Sequence, residues 1–260
     1  MLKLTIFRGV GVYNTMDEYI IHPLRLGTIT RPLNRMSYGA AEDSIDFPII
    51  AYYLSGKNNI LVDTGGTAPD GISWMPYRRK ENETLEKALM ALGVKLNEID
   101  FVILTHFHWD HAGAVNLFDG KKIFAQRCEY EYLLTSGEKP GYELEIIFAV
   151  DYELLTGDAD IANGVSVFLT PGHTMGMQCV AVNTVEGEYL ICSDQIPLFS
   201  NWEAAEPIIN GNGSDFAAMK TSMKKIKTKS KHNLILPGHD EEVFTRQGTY
   251  PRQSLLQTKL

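Results

Sequence analysis

The chain has 260 residues, with 24 Lys and Arg against 32 Asp and Glu and a formal net charge of −8. Apolar residues make up 44% and charged residues 22%, which is typical of folded proteins and excludes a disordered chain, a collagen and a coiled coil. The acidic balance also disfavours nucleic acid as a partner.

Short runs rich in Val, Ile, Leu and aromatic residues recur along the chain and predict β-strands. They cover residues 2–7, 47–54, 59–63, 101–104, 122–125, 165–169, 177–182, 188–194 and 233–237. Several are almost continuously apolar, which suits strands that are buried on both faces. In the second run we expect Tyr52 and Tyr53 to face opposite sides of the strand, one inward and one outward.

Two stretches between these runs have the apolar spacing of amphipathic helices. The first covers residues 82–92, with Asn82 as the expected cap and Gly93 as the stop. The second covers residues 214–231, with Ser214 as the expected cap. Its apolar stripe, which we expect to face the core, consists of Phe216, Met219, Met223 and Ile226.

The remaining long stretches, residues 8–46, 64–81 and 195–213, are predicted to be irregular. Loops of that length usually carry function. Strands and helices in alternating blocks indicate an α/β layered fold, and no linker divides it, so we expect one domain over residues 1–260.

The N-terminus and the cysteines together predict a cytoplasmic protein. Arg8 interrupts the first apolar run, no small-residue cleavage site follows, and no apolar stretch approaches the roughly 18 residues of a membrane span. Cys128, Cys179 and Cys192 form no CxxC pair, so we expect reduced thiols. We therefore expect neither a membrane nor a nucleic acid as partner.

Seven His and Asp side chains follow predicted strands, in similar contexts where a strand delivers its last residues to one edge of a sheet. They are His106, His108, Asp110 and His111 in FVILTHFHWDHAG, His173 in FLTPGHTMG, Asp194 at the end of YLICSD, and His239 in LILPGHD. Imidazole and carboxylate are the ligands that suit zinc, and also iron or manganese. The pattern therefore predicts a metal site.

Spacing supports this interpretation of the first cluster. His106 and His108 are two residues apart, so their side chains point the same way at an extended strand end. Asp110 and His111 follow where the chain turns and can address a second point nearby. No Ser-His-Asp or Cys-His nucleophile pattern, GxGxxG motif or phosphate loop competes, so we expect metal-assisted hydrolysis without an organic cofactor.

HFHWDH at residues 106–111 resembles the HxHxDH signature of the metallo-β-lactamase superfamily, and LVDTGG at residues 61–66 resembles the turn that precedes it. The resemblance runs from about residue 47 to residue 240. It implies a four-layer αβ/βα sandwich, in which two sheets carry outer helices and the site lies at one edge. It also implies that Asp63 orients the ligands, although a turn-forming role for this residue stays open.

The same resemblance implies two metal sites: His106, His108 and His173 hold one ion, Asp110, His111 and His239 hold the other, and Asp194 bridges them. Two zinc ions, with manganese, iron or cobalt as alternatives, would share a water and turn it into a hydroxide nucleophile. Asp110, as a proton relay, and Asp194 are the expected catalytic carboxylates.

Within the superfamily the chain is most similar to the N-acyl homoserine lactone hydrolases and related lactonases. The evidence is its length, the HxHxDHAG form with Trp109 before Asp110, the PGHTMG context and the LPGHD ending. This resemblance implies hydrolysis of a small lactone or ester, and therefore a small-molecule substrate. One position departs from the group: it commonly has Tyr three residues after the bridging Asp, where this chain has Pro197.

Several alternatives stay open on the sequence alone. The substrate is an acyl-homoserine lactone, another lactone, a cyclic amide or a small ester. A phosphodiesterase, a phosphotriesterase, a thioester hydrolase and a metal-bearing sensor without activity are the competing functions. The native metal, the oligomeric state and the closure of residues 195–213 as a lid are also open.

Overall fold

The computed structural model describes residues 16–67 and 76–251, apart from Ser136, Glu138 and Asn233. The strand expected at residues 2–7 lies outside the described residues, as does part of the expected loop 64–81.

The first sheet is mixed and has seven strands. They are β1 (Ile20–Pro32), β2 (Ser44–Ser55), β3 (Asn59–Val62), β4 (Tyr77–Arg78), β5 (Phe101–Ile103), β6 (Lys122–Gln126) and β7 (Glu153–Leu155). Their order across the sheet is β4-β1-β2-β3-β5-β6-β7. The strands from β4 to β3 pair antiparallel, whereas those from β3 to β7 pair parallel.

The second sheet has five strands, which are β8 (Ala159–Ala162), β9 (Val165–Leu169), β10 (Gln178–Thr184), β11 (Gly187–Ser193) and β12 (Ile235–Pro237). Their order is β12-β11-β10-β9-β8. All neighbours pair antiparallel except β11 and β12, which are parallel.

The helices are α1 (Leu85–Ala91), α2 (Trp109–Ala112), α3 (Arg127–Leu133), α4 (Leu144–Ile147), α5 (Phe199–Glu203), α6 (Phe216–Lys229) and α7 (Glu242–Arg246). Over the described part of the chain, no helix combines the length and the apolar character that crossing a membrane requires.

Three apolar clusters separate four layers of secondary structure. One lies between the sheets and includes Tyr52, Ile103 and Val180. A second joins the first sheet to helices such as α1, through Leu85 and Leu89. The third joins the second sheet to α6, through Met219, Met223 and Ile226. The expected four-layer αβ/βα sandwich is therefore confirmed.

The predicted strand runs from residue 47 onward appear as β2, β3, β5, β6 and β9 to β12, with ends that shift by a few residues at most. The prediction that residues 8–46 are irregular is wrong, because β1 lies within them. Pro23 and Gly27 conceal this strand, and a register shift between Arg25 and Thr28 interrupts its alternation. Pairing with the strongly apolar β2 holds β1 extended despite these residues.

Both predicted helices form, but their expected caps are wrong. Thr84, rather than Asn82, accepts the capping hydrogen bond of α1, from the Lys87 amide at 3.3 Å. Asp215, rather than Ser214, caps α6 by accepting from the Ala217 and Ala218 amides. Each helix thus begins later than its first polar residue suggests.

Three further expectations need correction. Phe216 is 39% exposed and does not belong to the buried face of α6. Of the four expected residues, only Met219, Met223 and Ile226 are buried. Tyr52 and Tyr53 do face opposite sides of β2, but both are buried, because helices cover the side that was expected to be outward. Residues 195–213 are not irregular throughout, since they contain α5.

Candidate metal centre

All seven expected ligand residues lie just past the carboxyl ends of strands, at one edge of the sandwich. They are His106 and His108 after β5, Asp110 and His111 on α2, His173 after β9, Asp194 after β11, and His239 after β12. All are buried except His108, which is half-buried. Their donor atoms form two groups, and within each group all atoms lie within 4.8 Å of one another.

The first group joins three imidazoles and one carboxylate oxygen. His106 Nε2 and His173 Nε2 lie 3.0 and 2.9 Å from His108 Nδ1. Asp194 Oδ2 lies 3.1 Å from His173 Nε2. Three ring nitrogens that face one another cannot all be satisfied by hydrogen bonds among themselves, so the group suits a cation between them.

The second group consists of Asp110 Oδ2, His111 Nε2 and His239 Nε2. Asp194 Oδ1 lies 3.1 Å from His111 Nε2 and 2.8 Å from His239 Nε2. The two oxygens of Asp194 therefore face one group each, which is the arrangement that a bridging carboxylate needs.

Two buried polar atoms test whether a metal pair fits. His111 Nε2 and Asp194 Oδ1 lie 3.1 Å apart, but among the described residues neither atom makes a hydrogen bond of suitable geometry. Each unsatisfied buried group costs about 1–3 kcal/mol, and a divalent cation beside both would remove that cost. Nitrogen and oxygen donors in groups of three and four also match the ligand preference of zinc. The residues present therefore fit a pair of metal ions.

The outer ring nitrogens are held by hydrogen bonds that turn the inner ones toward the centre. His111 Nδ1 lies 2.8 Å from Asp63 Oδ2, and His239 Nδ1 lies 2.9 Å from the Pro48 carbonyl. His106 Nδ1 lies 3.1 Å from Thr105 Oγ1. Such contacts fix the ring orientation and the tautomer of an imidazole ligand.

Asp63 occupies a backbone conformation that side chains rarely adopt, with φ of 62°. Its carboxylate accepts from the Thr105 amide at 2.7 Å and from the Thr105 hydroxyl at 2.8 Å, besides contacting His111. Gly65 follows with φ of 77°, and a Cβ there would lie 2.5 Å from Leu26 Cδ1. The LVDTGG turn is thus shaped to present this carboxylate to the histidines.

The electrostatics differ between the two groups. Burial, together with the neighbouring His111, holds the pKa of His106 well below its usual value, and burial with His173 does the same to the pKa of His108. Burial alone would also lower the pKa of His111, but the Asp194 and Asp110 carboxylates raise it well above the usual value. The surroundings therefore act in opposite directions on the pKa values of these histidines: downward on His106 and His108, and upward on His111.

A cleft of about 460 Å³ opens onto the histidines. Besides the ligand-type residues, its walls include Ile29, Arg31, Arg35, Trp109, Tyr132 and Tyr142. Of these, sequence reasoning singled out Trp109 alone. Arg31 and Arg35 belong to a segment that was expected to be irregular, and no motif pointed to either tyrosine.

Known proteins resemble this chain both in sequence and in fold. The family model described as the metallo-beta-lactamase superfamily matches residues 46–239. The N-acyl homoserine lactonase of Bacillus thuringiensis is 30% identical over 216 residues, which cover 76% of this chain and 83% of that protein.

Two solved structures share the fold. One is an N-acyl homoserine lactone hydrolase with the product N-hexanoyl-L-homoserine bound at its catalytic metal center; its TM-score is 0.76 at 24% identity, over 89% of this chain and 97% of that chain. The other is a dizinc quorum-quenching lactonase with a bound product; its TM-score is 0.65 at 18% identity, over 87% of this chain and 90% of that chain. Because the family model covers most of the chain and the sequence relative matches three quarters of it, the chain belongs to the metallo-beta-lactamase superfamily of hydrolases and is similar to its N-acyl homoserine lactonases.

Proposed function

We propose that this protein is a dinuclear zinc-dependent hydrolase that opens a small lactone or ester. The observation that carries the proposal is the position of Asp194, whose two oxygens each face a separate group of ligand-type side chains. The similarity to lactonases, including one whose structure is described as dizinc, supports the same reaction and the same metal.

In this proposal one ion is held by His106, His108 and His173, the other by Asp110, His111 and His239, and Asp194 bridges them. When bound, the ions would activate water as the nucleophile and polarise the carbonyl of the ester bond. Manganese, iron and cobalt accept the same donors and are the alternatives to zinc.

Asp110 would take part directly in the reaction. It lies in the wall of the cleft, and its Oδ2 is 3.7 Å from His239 Nε2 and 3.9 Å from His111 Nε2. A carboxylate in this position can hold the proton that the leaving alkoxide needs when the ring opens. Trp109 and Ile29 supply an apolar wall that would exclude water from the rest of the substrate.

Pro197 occupies the position, three residues after Asp194, at which the lactonases commonly have a tyrosine, so this chain has no hydroxyl there. Its carbonyl instead accepts from the His239 amide at 2.9 Å, so this position supports the backbone of an expected ligand. Tyr142 lines the cleft, but its hydroxyl donates to the Glu129 carboxylate at 3.3 Å. We therefore infer that the preferred substrate differs from a simple N-acyl homoserine lactone.

We also propose that the protein works in the cytoplasm. Cys128, Cys179 and Cys192 are all free thiols, and two of them are buried in the core. Free thiols persist in a reducing compartment. Recovery of the native protein mainly in a membrane or secreted fraction would contradict this assignment.

Metal analysis and a substrate panel test the proposed reaction together. The purified protein should hold about two zinc ions per chain, and after chelation, zinc, manganese or cobalt should restore hydrolysis of lactones or carboxylic esters.

His108→Ala should lower both metal content and turnover, the latter by about a hundredfold or more. His232→Ala, at an exposed position away from the cleft, is the matched control and should change neither. Fully loaded protein that opens no lactone or ester, or that hydrolyses only phosphodiesters, phosphotriesters or thioesters, would overturn the proposal.

A further inference from the structure

Two arginines stand in the wall of the cleft that opens onto the candidate metal centre. Arg31 lies near the end of β1, two residues after Ile29, and both side chains line the cleft on the same side of the strand. Arg35 follows in a short 3-10 helix and is exposed at the cleft wall. Outside the His and Asp cluster, they are the charged residues among the described lining of the cleft.

Three charged side chains, those of Arg35, Asp110 and Asp194, lie close enough to Arg31 to affect its pKa. Burial lowers the pKa of Arg31, as does the nearby charge of Arg35, whereas Asp110 and Asp194 raise it. An arginine remains protonated even so. Arg31 therefore keeps a positive charge within electrostatic range of both expected catalytic carboxylates and of a second guanidinium.

Metal binding would change the charge balance around this arginine. Two divalent cations would offset the negative charges of Asp110, Asp194, Asp63 and the shared hydroxide, so that Arg31 and Arg35 would give the cleft a net positive charge. The positive charge of the cleft is thus opposite in sign to the net charge of the whole chain, which is −8. A cleft with this balance attracts an anion, and the planar guanidinium fork matches a carboxylate in particular.

We propose that the substrate is a lactone or ester that carries a carboxylate of its own, and that Arg31, assisted by Arg35, binds this carboxylate while the ester bond lies at the metal centre. The inference rests on the proposed function. It narrows the substrate class, because an N-acyl homoserine lactone has no charge for these arginines to recognise, and it makes Arg31 the residue that determines specificity.

The test uses a series of γ-lactones in matched pairs. One member of each pair carries a carboxylate on the ring, and the other carries a carboxamide of nearly the same shape. The pairs differ in the number of methylene groups between the ring and the variable group. The kcat/KM of the zinc-loaded enzyme is measured for each pair, together with that of Arg31→Gln, Arg31→Lys, Arg35→Gln and the control Arg127→Gln, whose side chain is exposed and outside the cleft.

For at least one pair, the carboxylate should exceed the carboxamide in kcat/KM by about tenfold or more, since hydrogen bonds to a charged group are about twice as strong as neutral ones. Arg31→Gln should remove most of this preference and bring the ratio close to one, and Arg31→Lys should retain part of it. Arg35→Gln should reduce the ratio less, and Arg127→Gln should leave it as in the unmodified enzyme.

A readout without turnover separates binding from catalysis. A tetrahydrofuran carboxylate has the ring and the charge but no ester bond, and calorimetry should show that it binds more weakly to Arg31→Gln than to the unmodified protein, both with and without zinc. Thermal unfolding of each variant checks that it folds, and Arg35→Gln tests the same surface should Arg31→Gln not fold.

The possible outcomes distinguish this inference from the proposed function. Equal hydrolysis of carboxylate and carboxamide lactones would overturn the inference and leave the lactonase function standing. A loss in Arg31→Gln that is equal for both members of a pair would assign Arg31 a structural role and also overturn it. Absence of hydrolysis of every lactone and ester would overturn both.

Discussion

Asp63 connects the turn that follows β3 to the ring of His111. Its Oδ2 lies 2.8 Å from His111 Nδ1 and accepts from the Thr105 hydroxyl, while its Oδ1 accepts from the Thr105 amide. The side chain therefore both orders the chain that leads into the histidine cluster and sets the direction of one expected ligand.

Asp63→Asn should weaken metal binding at the group that contains His111 by about ten- to a hundredfold, the usual effect of removing a partner of an imidazole ligand. The fold should survive, because Asn tolerates the left-handed backbone that this position requires. Titration of the metal-free protein with zinc measures the change. Asp119→Asn, at an exposed position, is the control, and equal zinc affinity in the two variants would contradict the role given to Asp63.

His22 is a residue outside the site whose protonation should affect stability. It lies on β1, its Nε2 is 2.9 Å from Ser55 Oγ, and its buried Nδ1 has no hydrogen-bond partner among the described residues. Burial lowers its pKa from 6.5. Between the lowered pKa of the folded state and about pH 6.5, His22 is therefore mostly neutral in the folded protein and mostly protonated in the unfolded chain.

The sign of the pH effect follows from that difference. A histidine whose pKa is depressed in the folded state contributes its full stability above about pH 6.5 and loses it as the pH falls toward the folded pKa. Relative to His22→Gln, the unmodified protein should therefore become less stable as the pH falls from about 8 to about 5. Urea unfolding of the two metal-loaded proteins measures this difference, and a constant difference across that range would contradict the expectation.

Among the elements, α6 shows what fixes a helix end. Its buried face packs on the second sheet through Met219, Met223 and Ile226, and its N-terminus is held by the Asp215 carboxylate. Sequence spacing predicted the helix and its buried face but not the cap. Ser214 and Asp215 are both good capping residues, and the choice depends on tertiary contacts, because the Ser214 hydroxyl instead donates to the Gly172 carbonyl at 3.0 Å.

Asp215→Ala should lower the free energy of unfolding by about 1 kcal/mol, since it leaves two amides of the first turn without an acceptor. Ser214→Ala removes a hydroxyl that caps no amide and should cost less. Urea unfolding of the two variants at one pH measures both losses. A greater loss for Ser214→Ala would mean that the cap is assigned to the wrong residue.

The strands differ in how well the sequence predicts them. β2 and β10 are apolar enough to be recognised without partners, and the ligand-type residues that follow β5, β9, β11 and β12 could be predicted to share one edge. β1 could not be recognised, because its extension depends on pairing with β2 across a register shift. Arg31, which lies on β1, was missed for the same reason.

At the scale of the whole molecule, the two sheets bring together donors from distant parts of the sequence. His106 and His239 stand at the ends of strands in different sheets, and the apolar cluster between the sheets fixes their separation. The sequence resemblance predicted this fold. Which side chains line the cleft depends on loops and on β1, whose courses only the assembled layers determine.

This architecture gathers buried ligand atoms that hydrogen bonds alone do not fully satisfy, so metal ions should stabilise the whole protein. A ligand that binds only the folded state adds about 2.7 kcal/mol to the free energy of unfolding at a hundred times its dissociation constant. For a protein of this size, such a gain corresponds to a rise in Tm of about 5–10 °C.

Chelated protein should therefore unfold at a lower temperature than native protein, and zinc should restore the Tm in a concentration-dependent way. Magnesium is the control, because it prefers an octahedral shell of oxygen ligands that these imidazoles do not provide. His108→Ala should show a smaller zinc-dependent rise, since it removes the nitrogen that contacts both His106 and His173. Scanning calorimetry of the native protein and of His108→Ala measures these Tm values, and equal values for the chelated and zinc-loaded native protein would contradict a folded metal centre at this edge.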